Sequence, residues 1–442
     1  MTDRILALVV ANVLMLALGA GMLPLLRLAR TRRELLTRLP LAYPVGIAST
    51  GILTAHLALL HVPIGRIGLP LLSATSLVIG LRRLPGGHRS RRAPNVVRAL
   101  PALTLLAVTG AFFVQAARLF AVKPLVEFDG WAIWATRAQA LYDFGHPIAP
   151  VFTDPTYPAL QYPLLLPSLE ALDFRFMGTF DGSLIHLQLL GFAIAFVSGA
   201  WILLRKQAPS VLLAAVLLAI VTAPTFFHQL PSNFADVPLA LVALGVVSLA
   251  AWLAGGGHGL LPAAALLLGA AALTKNEGEL FALAAYASAF VAAGRSRRRP
   301  VALAAAATFA LELPWRIWVQ AHHLPTRDYA LSNLFDPSYL WQHRSRVGPS
   351  AHELLTQIWA FGSWSFIVPL VLLGLAAAPL MRRTRVAAFG TAWLVLSFAG
   401  LVAIYWISRN PLSSHLFNSS DRTIDSLVIG GVLLVPVLLS TE

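Results

Sequence analysis

Long apolar segments alternate with short polar ones along the whole chain. The apolar runs contain roughly 17 to 25 residues, enough for a helix to cross a hydrocarbon core about 30 Å thick. Because lipid offers the backbone no hydrogen-bonding partner, such runs are predicted to be helices rather than strands. The pattern predicts thirteen membrane segments, at about 5–26, 41–61, 66–82, 99–121, 183–204, 209–226, 236–254, 259–274, 277–294, 300–319, 361–381, 386–407 and 424–440.

One division in this pattern rests on very few polar residues. Only the stretch "TKNEG" separates segments 259–274 and 277–294, which could therefore form one broken or re-entrant element. No internal repeat of the inverted-topology kind found in many transporters is visible. The predicted fold class is all-α: one polytopic integral membrane helix bundle over residues 1–442, without a separate soluble C-terminal domain.

Composition supports a membrane protein. Hydrophobic residues make up 57% of the 442 residues and charged residues 12%, with a mean hydropathy of +0.73, which is more apolar than soluble domains are. There is no cysteine, so disulfides, thiolate metal sites and a cysteine nucleophile are excluded. The first apolar run, from Ile5 onward, lacks a basic region before it and is predicted to be retained rather than cleaved.

The charge distribution predicts an orientation. A net charge of +14 would suggest nucleic acid in a soluble protein, but here the basic residues cluster between apolar runs, and the positive-inside rule assigns such clusters to the cytoplasm. The N-terminus is then outside, most carboxylates collect at the outer face, and no nucleic-acid partner is expected. The basic clusters are Arg27–Arg38, Arg82–Arg98, Arg205 with Lys206, Arg295–Arg299 and Arg382–Arg385; the long outer loops are 122–182, 227–235, 320–360 and 408–423.

The most polar stretch, "EFDGWAIWATRAQALYDFG" at 127–145, lies in the first long outer loop. If residues 129–145 form a helix, with 100° between successive residues, Trp131 and Tyr142 lie along one face. Asp129 lies near the opposite face, with Arg137 beside it. This predicts an amphipathic interfacial helix that presents its acids and its arginine to water. Four prolines between 155 and 167 predict an ordered loop or broken helix after it. A purely structural cap over 122–182 is the alternative.

Two further outer motifs carry charges, each with a structural alternative. In "PSNFADVPLA", Asp236 begins a helix and could simply cap it. In "LTKNEGEL", Lys275 and Glu277 could form an ion pair at the membrane boundary, or Lys275 could be the cation of an anion site.

The last two motifs carry arginines. In "ELPWRIWVQAHH", Glu312 and Arg316 are candidates because polar groups at membrane depth are costly, although snorkelling accounts for Arg316 equally well. In "SSDRTIDSLV", Arg422 is predicted to open the final helix beside Ser419 and Ser420. Free backbone N–H groups and a guanidinium would form a phosphate-binding site there. An ordinary helix cap is the alternative.

Taken in order, these motifs resemble the bacterial GT-C glycosyltransferases, the multi-spanning enzymes related to protein mannosyltransferases and aminoarabinose transferases. The similarity covers roughly residues 100–430 and rests on short, loose motifs in a shared order. This chain has Glu-x-Asp where the better-known branches have adjacent acids, and their large C-terminal soluble domain is not expected in it. The resemblance implies transfer of a sugar from a polyprenyl-phosphate donor to a glycan, lipid or protein acceptor at the outer face of a bacterial inner membrane.

The resemblance also implies roles for particular residues. The catalytic carboxylate, acting as general base or positioning the acceptor, matches Asp129, with Glu127 as the alternate. The remaining positions are expected to bind substrate, with basic side chains holding the lipid phosphate. They are Arg137, Asp154, Tyr157, Asp236, Lys275, Glu277, Arg316 and Arg422.

The chemistry suits these residue types. A carboxylate takes the proton of the attacking hydroxyl, and cations stabilise the departing phosphate, so no acid catalyst is needed and a one-step displacement inverts the anomeric carbon. No structural metal is expected; a catalytic Mg²⁺ or Mn²⁺ held by Asp129 with Asp154 or Asp236 is left open. The alternatives are a transporter or flippase of lipid-linked or anionic substrates, a scaffold protein, and an O-antigen ligase or polymerase.

Overall fold

The computed structural model describes residues 1–85, 96–325 and 329–440. Within these ranges the chain is helical without β-strands, apart from one antiparallel bridge between Tyr329 and Ser408, which confirms the all-α class. The α-helices are α1 (Thr2–Leu25), α2 (Arg32–Thr37), α3 (Leu39–Leu59), α4 (Gly68–Arg82), α5 (Val96–Phe120), α6 (Thr136–Phe144), α7 (Pro150–Thr153), α8 (Leu165–Met177), α9 (Ile185–Leu204), α10 (Ser210–Thr222), α11 (Pro224–Gln229), α12 (Leu241–Leu253), α13 (Leu260–Ala272), α14 (Asn276–Ala292), α15 (Arg295–Ala321), α16 (Pro337–Gln342), α17 (Val347–Ile358), α18 (Phe361–Trp364), α19 (Ile367–Ala377), α20 (Thr384–Trp406), α21 (Leu412–Thr423) and α22 (Asp425–Leu438).

Six of these helices are long and apolar enough to cross a membrane: α1, α3, α5, α9, α15 and α20. Shorter apolar helices, among them α4, α10, α13 and α19, accompany them. Each of the thirteen segments expected from the sequence coincides with a helical stretch. The structure thus has the helices that a membrane bundle requires, whereas the number of crossings stays a prediction.

The centre of the bundle is a pair of short helices, α12 and α13, joined by a glycine-rich turn. Every residue of α12 is buried. With 13 residues each, these helices are roughly 20 Å long, less than a hydrocarbon core. Irregular backbone at their ends is tolerated because other protein segments pair with it. For example, the Leu165 N–H at the start of α8 donates to the Leu273 carbonyl just after α13 at 2.8 Å.

Glycines allow α1 and α3 to pack with their backbones in contact. A Cβ added at Gly19 would lie 1.8 Å from the Ala42 carbonyl oxygen, and one at Gly46 would lie 1.9 Å from that of Met15. Small residues at such crossings are typical of membrane helix pairs, where dispersion contacts replace the hydrophobic effect.

The first long loop differs from the sequence prediction. Residues 130–135 form a π-helix that continues into α6, and α8, which follows the prolines, is buried against α6, α3 and α1. Arg137 was expected to face water, but it is fully buried. The prediction was wrong because helical periodicity shows which residues share a face, and not which face the rest of the chain covers.

The motif "TKNEG" marks a real boundary between helices. Helix α13 ends at Ala272 and α14 begins at Asn276, so these are two elements, with Lys275 at the N-cap of the second. The charged residues at this junction therefore lie directly beside the start of α12, which follows Asp236 and a short 3₁₀ turn at Pro238–Ala240. The junction positions the candidate site described next.

Candidate functional site

Five residues singled out from the sequence meet in one pocket, which we call the charged pocket. Three carboxylates and two cations line it, and they come from widely separated parts of the chain. They are Asp129, Asp236, Lys275, Glu277 and Arg422.

Asp236 links the two cations of the pocket. Its Oδ1 lies 2.9 Å from Lys275 Nζ, and its Oδ2 lies 3.9 Å from Arg422 Nη1. Lys275 also contacts Glu277 Oε1 at 3.1 Å. The side chain of Asp236 is 3% exposed and that of Lys275 is 9%, so the pair is stabilised by direct contact rather than by water. A Lys275–Glu277 ion pair was one of the two alternatives expected here, and the structure contains that pair together with a second contact from Lys275 to Asp236.

Arg422 connects this pair to Asp129. Its Nη2 donates to Asp129 Oδ2 at 2.9 Å and to the Asn418 carbonyl at 2.7 Å, and its guanidinium carbon lies 4.3 Å from the centre of the Phe234 ring. The Asp129 side chain is 31% exposed, the most accessible of the carboxylates bonded to the two cations. Asp129 therefore stands at the mouth of the pocket and Asp236 at its floor.

The charges of the carboxylates keep both cations ionised. Burial lowers the pKa of Lys275, but the charges of Asp236 and Glu277 outweigh burial and raise it above its ordinary value. For Arg422, burial is likewise outweighed by Asp236 and Asp129, so its pKa is raised as well. Both side chains are thus fixed positive charges at any physiological pH.

The local position of Arg422 corrects one sequence prediction. Arg422, Ser419 and Ser420 belong to the last turns of α21, and the final helix α22 begins at Asp425. The backbone around Arg422 is therefore at the carboxyl end of a helix, so a phosphate seat of free N–H groups does not form there. The side chain of Arg422 alone supplies the positive charge.

Glu127, the alternate carboxylate, lies outside the pocket. Its Oε1 contacts Lys123 Nζ four residues earlier, and Lys123 also donates to the Pro231 carbonyl at 3.0 Å. Burial raises the pKa of Glu127, but the hydrogen bond and charge of Lys123 outweigh it and lower the pKa overall. Lys123 was not among the residues selected from the sequence. It forms an ion pair with Glu127 outside the charged pocket.

Arg137 is also outside the charged pocket, where it is buried and bonded to backbone carbonyls. Its guanidinium donates to the carbonyls of Tyr162 at 2.8 Å and Leu160 at 3.3 Å, and it lies over the rings of Phe152 and Trp315. Burial lowers the pKa of Arg137 to about 9, which leaves it charged at neutral pH. It therefore ties the proline-rich loop to α6, behind the pocket wall formed in part by Tyr162.

The other sequence candidates lie elsewhere. Arg316 contacts Glu279 at 2.6 Å and Glu312 on its own helix, and it donates to Asn276 Oδ1 at 3.2 Å, so it braces the first turn of α14. Asp154 accepts hydrogen bonds from the backbone and hydroxyl of Thr156, and the ring of Tyr157 is partly exposed; neither lines the pocket.

Aromatic and hydroxyl side chains complete the pocket wall. Trp134 and Tyr162 stack with 5.5 Å between ring centres, and the Tyr405 hydroxyl lies 2.9 Å from Ser419 Oγ. The ring of His415 packs 4.7 Å from that of Tyr405. Tyr405 and His415 were missed because they lie far along the chain from the acidic loop, and no local pattern distinguishes them.

A divalent ion has no evident ligand set. The guanidinium of Arg422 lies between Asp129 and Asp236, the positions considered for Mg²⁺ or Mn²⁺, and Asp154 is not in the pocket. Across residues 1–85, 96–325 and 329–440, no three His, Asp or Glu side chains converge as a metal site would require.

Gly130 determines how closely Asp129 approaches the rest of the pocket. A Cβ at Gly130 would lie 2.1 Å from the Ser232 carbonyl oxygen. The carbonyl of Gly130 accepts a hydrogen bond from Asn233 Nδ2 at 3.3 Å. We expect Gly130→Ala to lower the free energy of unfolding by about 1–3 kcal/mol through overpacking. Gly110→Ala in α5, whose added Cβ would meet nothing within 4 Å, is the control. Equal denaturation midpoints for the two purified variants would contradict the close approach.

Comparison of the chain with protein-family models, with curated proteins and with solved structures finds no match. What the charged pocket does must therefore be inferred from its own geometry.

Proposed function

We propose that this chain is a membrane glycosyltransferase of the GT-C kind, which moves a sugar from a polyprenyl-phosphate donor to an acceptor at the outer face of the membrane. The observation that carries the proposal is the charged pocket opening beside an apolar groove. A donor of this class has a phosphate and a long hydrocarbon tail, and the two neighbouring sites suit these two parts.

The apolar groove lies between α19, α20 and α22. It has a volume of about 320 Å³, and its wall includes Leu372, Phe398, Ala399, Leu427 and Val428. The wall is almost wholly apolar. A prenyl chain in the bilayer already lies in hydrocarbon, so the groove favours it through close dispersion contacts rather than through removal from water.

The groove and the charged pocket share two helical segments. On α20, Phe398 and Ala399 line the groove while Leu401 and Tyr405 line the pocket, one to two helical turns away. The junction of α21 and α22 also contributes to both sites, since Thr423 lines the charged pocket and Leu427 lines the apolar groove. A tail in the groove would thus place its phosphate next to Arg422.

The size of the charged pocket suits a phosphate better than a whole sugar. Its volume is about 60 Å³, far below the ~300–1,000 Å³ of sites that enclose a small molecule. In the proposal the phosphate occupies the floor beside Lys275 and Arg422, and the sugar extends toward the mouth, where Asp129 is exposed. Trp134 and Tyr162, stacked on each other, line the same pocket.

The reaction proposed is a single displacement at the anomeric carbon. An acceptor hydroxyl attacks that carbon, its proton passes to an Oδ of Asp129, and the bond between the anomeric carbon and the phosphate oxygen breaks. The electron pair stays on the phosphate, where Lys275 and Arg422 stabilise the growing charge. Asp236 is buried between these cations and is therefore a positioning residue rather than the base.

In this arrangement, donor binding is coupled to the release of the Asp129 carboxylate from its contact with Arg422. Arg422 contacts Asp129 through a single terminal nitrogen, Nη2. When Arg422 turns toward a phosphate, that contact is exchanged, and the Asp129 carboxylate becomes free to accept a proton. The exchange replaces one charge-assisted hydrogen bond by another, so it costs little free energy.

The assay uses the full chain in lipid nanodiscs with a panel of polyprenyl-phosphate sugars and a membrane extract as acceptor. We expect one donor class to be consumed, with free polyprenyl phosphate released in step with glycosylated acceptor. Movement of an intact lipid-linked sugar across liposomes containing the chain, with no donor consumed, would indicate the transporter alternative instead.

The groove has its own test within the same assay. Ala399 is exposed on the groove wall, and Ala399→Trp would fill part of the space for the tail. We expect KM for a long-chain donor to rise about tenfold, the equivalent of about 1.4 kcal/mol of lost packing contacts, while a two-isoprene donor is unaffected. Ala306→Trp, at an exposed position of α15, is the control. Equal effects on short and long donors would exclude the groove as the tail site.

A further inference from the structure

A second pocket lies at the other end of the α12–α13 pair. The charged pocket adjoins the residues just before α12 and just after α13, while the second pocket adjoins the turn between the two helices. The 16 residues of Pro238–Leu253 place the two roughly 24 Å apart along the helix axis. The two pockets are therefore separate sites.

Four cations line this second pocket, which we call the basic pocket. They are Arg27 and Arg38, which flank α2, and Arg205 and Lys206, which follow α9; the volume is about 280 Å³. No carboxylate lines it. None of the four forms an ion pair with a carboxylate in the part of the chain that the structure describes.

The cations are held close to one another by the backbone. Arg38 Nη1 donates to the Leu28 carbonyl, and Arg205 Nη2 donates to the Thr37 carbonyl at 3.1 Å. Burial lowers the pKa of Arg205, and the like charge of Arg38 lowers it further. Positive charges that repel each other without an acid to balance them gain free energy when an anion binds between them.

The turn between α12 and α13 closes the pocket on one side. A Cβ at Gly259 would lie 2.5 Å from the Arg27 carbonyl oxygen, so this turn packs directly on the backbone two residues after α1. The pocket is thus formed by three separate connections of the bundle, and it is not merely the exposed charge that a cytoplasmic loop carries under the positive-inside rule.

We propose that the basic pocket binds the phosphate group of an anionic membrane lipid. The cations supply phosphate contacts, and the rest of the wall includes Leu203 and Leu260, partly exposed apolar side chains against which acyl chains can lie. A soluble phosphate ester would use the cations and leave the apolar wall uncovered, so the lining favours the lipid. Basic pockets between membrane helices are a known mode of headgroup recognition. The inference does not depend on the proposed glycosyl transfer.

The test measures lipid binding to the purified, delipidated full chain by native mass spectrometry. The probes are phosphatidylglycerol, phosphatidylcholine of the same chain length, and glycerol phosphate. We expect phosphatidylglycerol to bind, and Arg205→Gln/Lys206→Gln to weaken that binding about tenfold through lost charge-assisted hydrogen bonds. Lys206→Gln alone, at an exposed side chain, is expected to weaken it about threefold.

The control variant is Arg295→Gln/Arg385→Gln, which removes the same charge from exposed positions outside the pocket. It should bind phosphatidylglycerol as the unaltered chain does. Each variant should show one cooperative thermal transition, with a slightly lower midpoint for Arg205→Gln/Lys206→Gln because the bond from Arg205 to the Thr37 carbonyl is lost. Competition by glycerol phosphate at the lipid's own concentration would assign the pocket to soluble phosphate esters and remove the lipid. Equal loss in both double variants, or equal binding of phosphatidylglycerol and phosphatidylcholine, would overturn the site.

Discussion

Asp129→Asn protein is expected to bind the polyprenyl-phosphate sugar and to transfer it about 10²–10⁴-fold more slowly than the unaltered chain, the usual contribution of a general base. The amide has the size of the carboxylate and can still accept a hydrogen bond from Arg422, so the pocket should keep its shape. It cannot accept the proton of an attacking hydroxyl. Initial rates of transfer and donor affinity, measured separately in nanodiscs, distinguish the two effects.

Glu127→Gln is the matched control for this variant. It removes a carboxylate two residues away, at a side chain that contacts Lys123 rather than the pocket. Its rate should stay within about threefold of the unaltered chain, since the lost contact is a partly exposed ion pair. Near-normal turnover in Asp129→Asn, or the larger loss in Glu127→Gln, would assign the base to another residue.

Lys275→Ala is expected to lower the free energy of unfolding by about 3–5 kcal/mol, because it leaves buried carboxylates without their counter-charge. Lys275 contacts Asp236 and Glu277, whose side chains are 3% and 12% exposed. The remaining partner of Asp236 is Arg422, 3.9 Å away. Chemical denaturation of the purified chain in detergent measures the difference. Donor affinity is expected to fall as well, since a phosphate-binding cation is lost.

A compensated variant separates stability from binding. In Lys275→Met/Asp236→Asn/Glu277→Gln the cation and both carboxylates become neutral at similar volume, so most of the stability should return while donor binding stays weak. Arg4→Ala, which breaks the exposed pair of Arg4 with Asp181, should change stability by about 0–1 kcal/mol. If Lys275→Ala were as stable as Arg4→Ala, the buried ion network would not hold the junction of α12, α13 and α14 together.

Charge placement explains why so much of the pocket could be anticipated. Asp236, Lys275 and Glu277 all stand at the ends of apolar segments, where a polar residue remains near the membrane boundary. Alternating segments bring every second boundary to the same end of a bundle. Residues at these boundaries are therefore neighbours by topology, and the structure places Asp129 and Arg422 among them.

The sequence did not show which side chains point inward. Arg137 was expected to face water and is buried, with its guanidinium donating to the Tyr162 carbonyl. Glu127 pairs with Lys123, four residues earlier, and Lys123 also donates to the Pro231 carbonyl. Arg422 was assigned to the start of a helix and lies near the end of one. For Arg137 and Arg422 the contacts that fix the side chain come from Tyr162 and Asp129, 25 and 293 residues away in the chain.

By itself the sequence determined that this protein is a bundle of apolar helices and which ends of those helices carry charge, because segment length and hydropathy are local properties of the chain. Only the tertiary structure decided that Asp236 joins two cations, that an apolar groove adjoins them, and that a separate basic pocket lies at the opposite end of α12 and α13. These features arise where three or more helices meet, and the packing of their side chains selects among arrangements that the same local pattern allows.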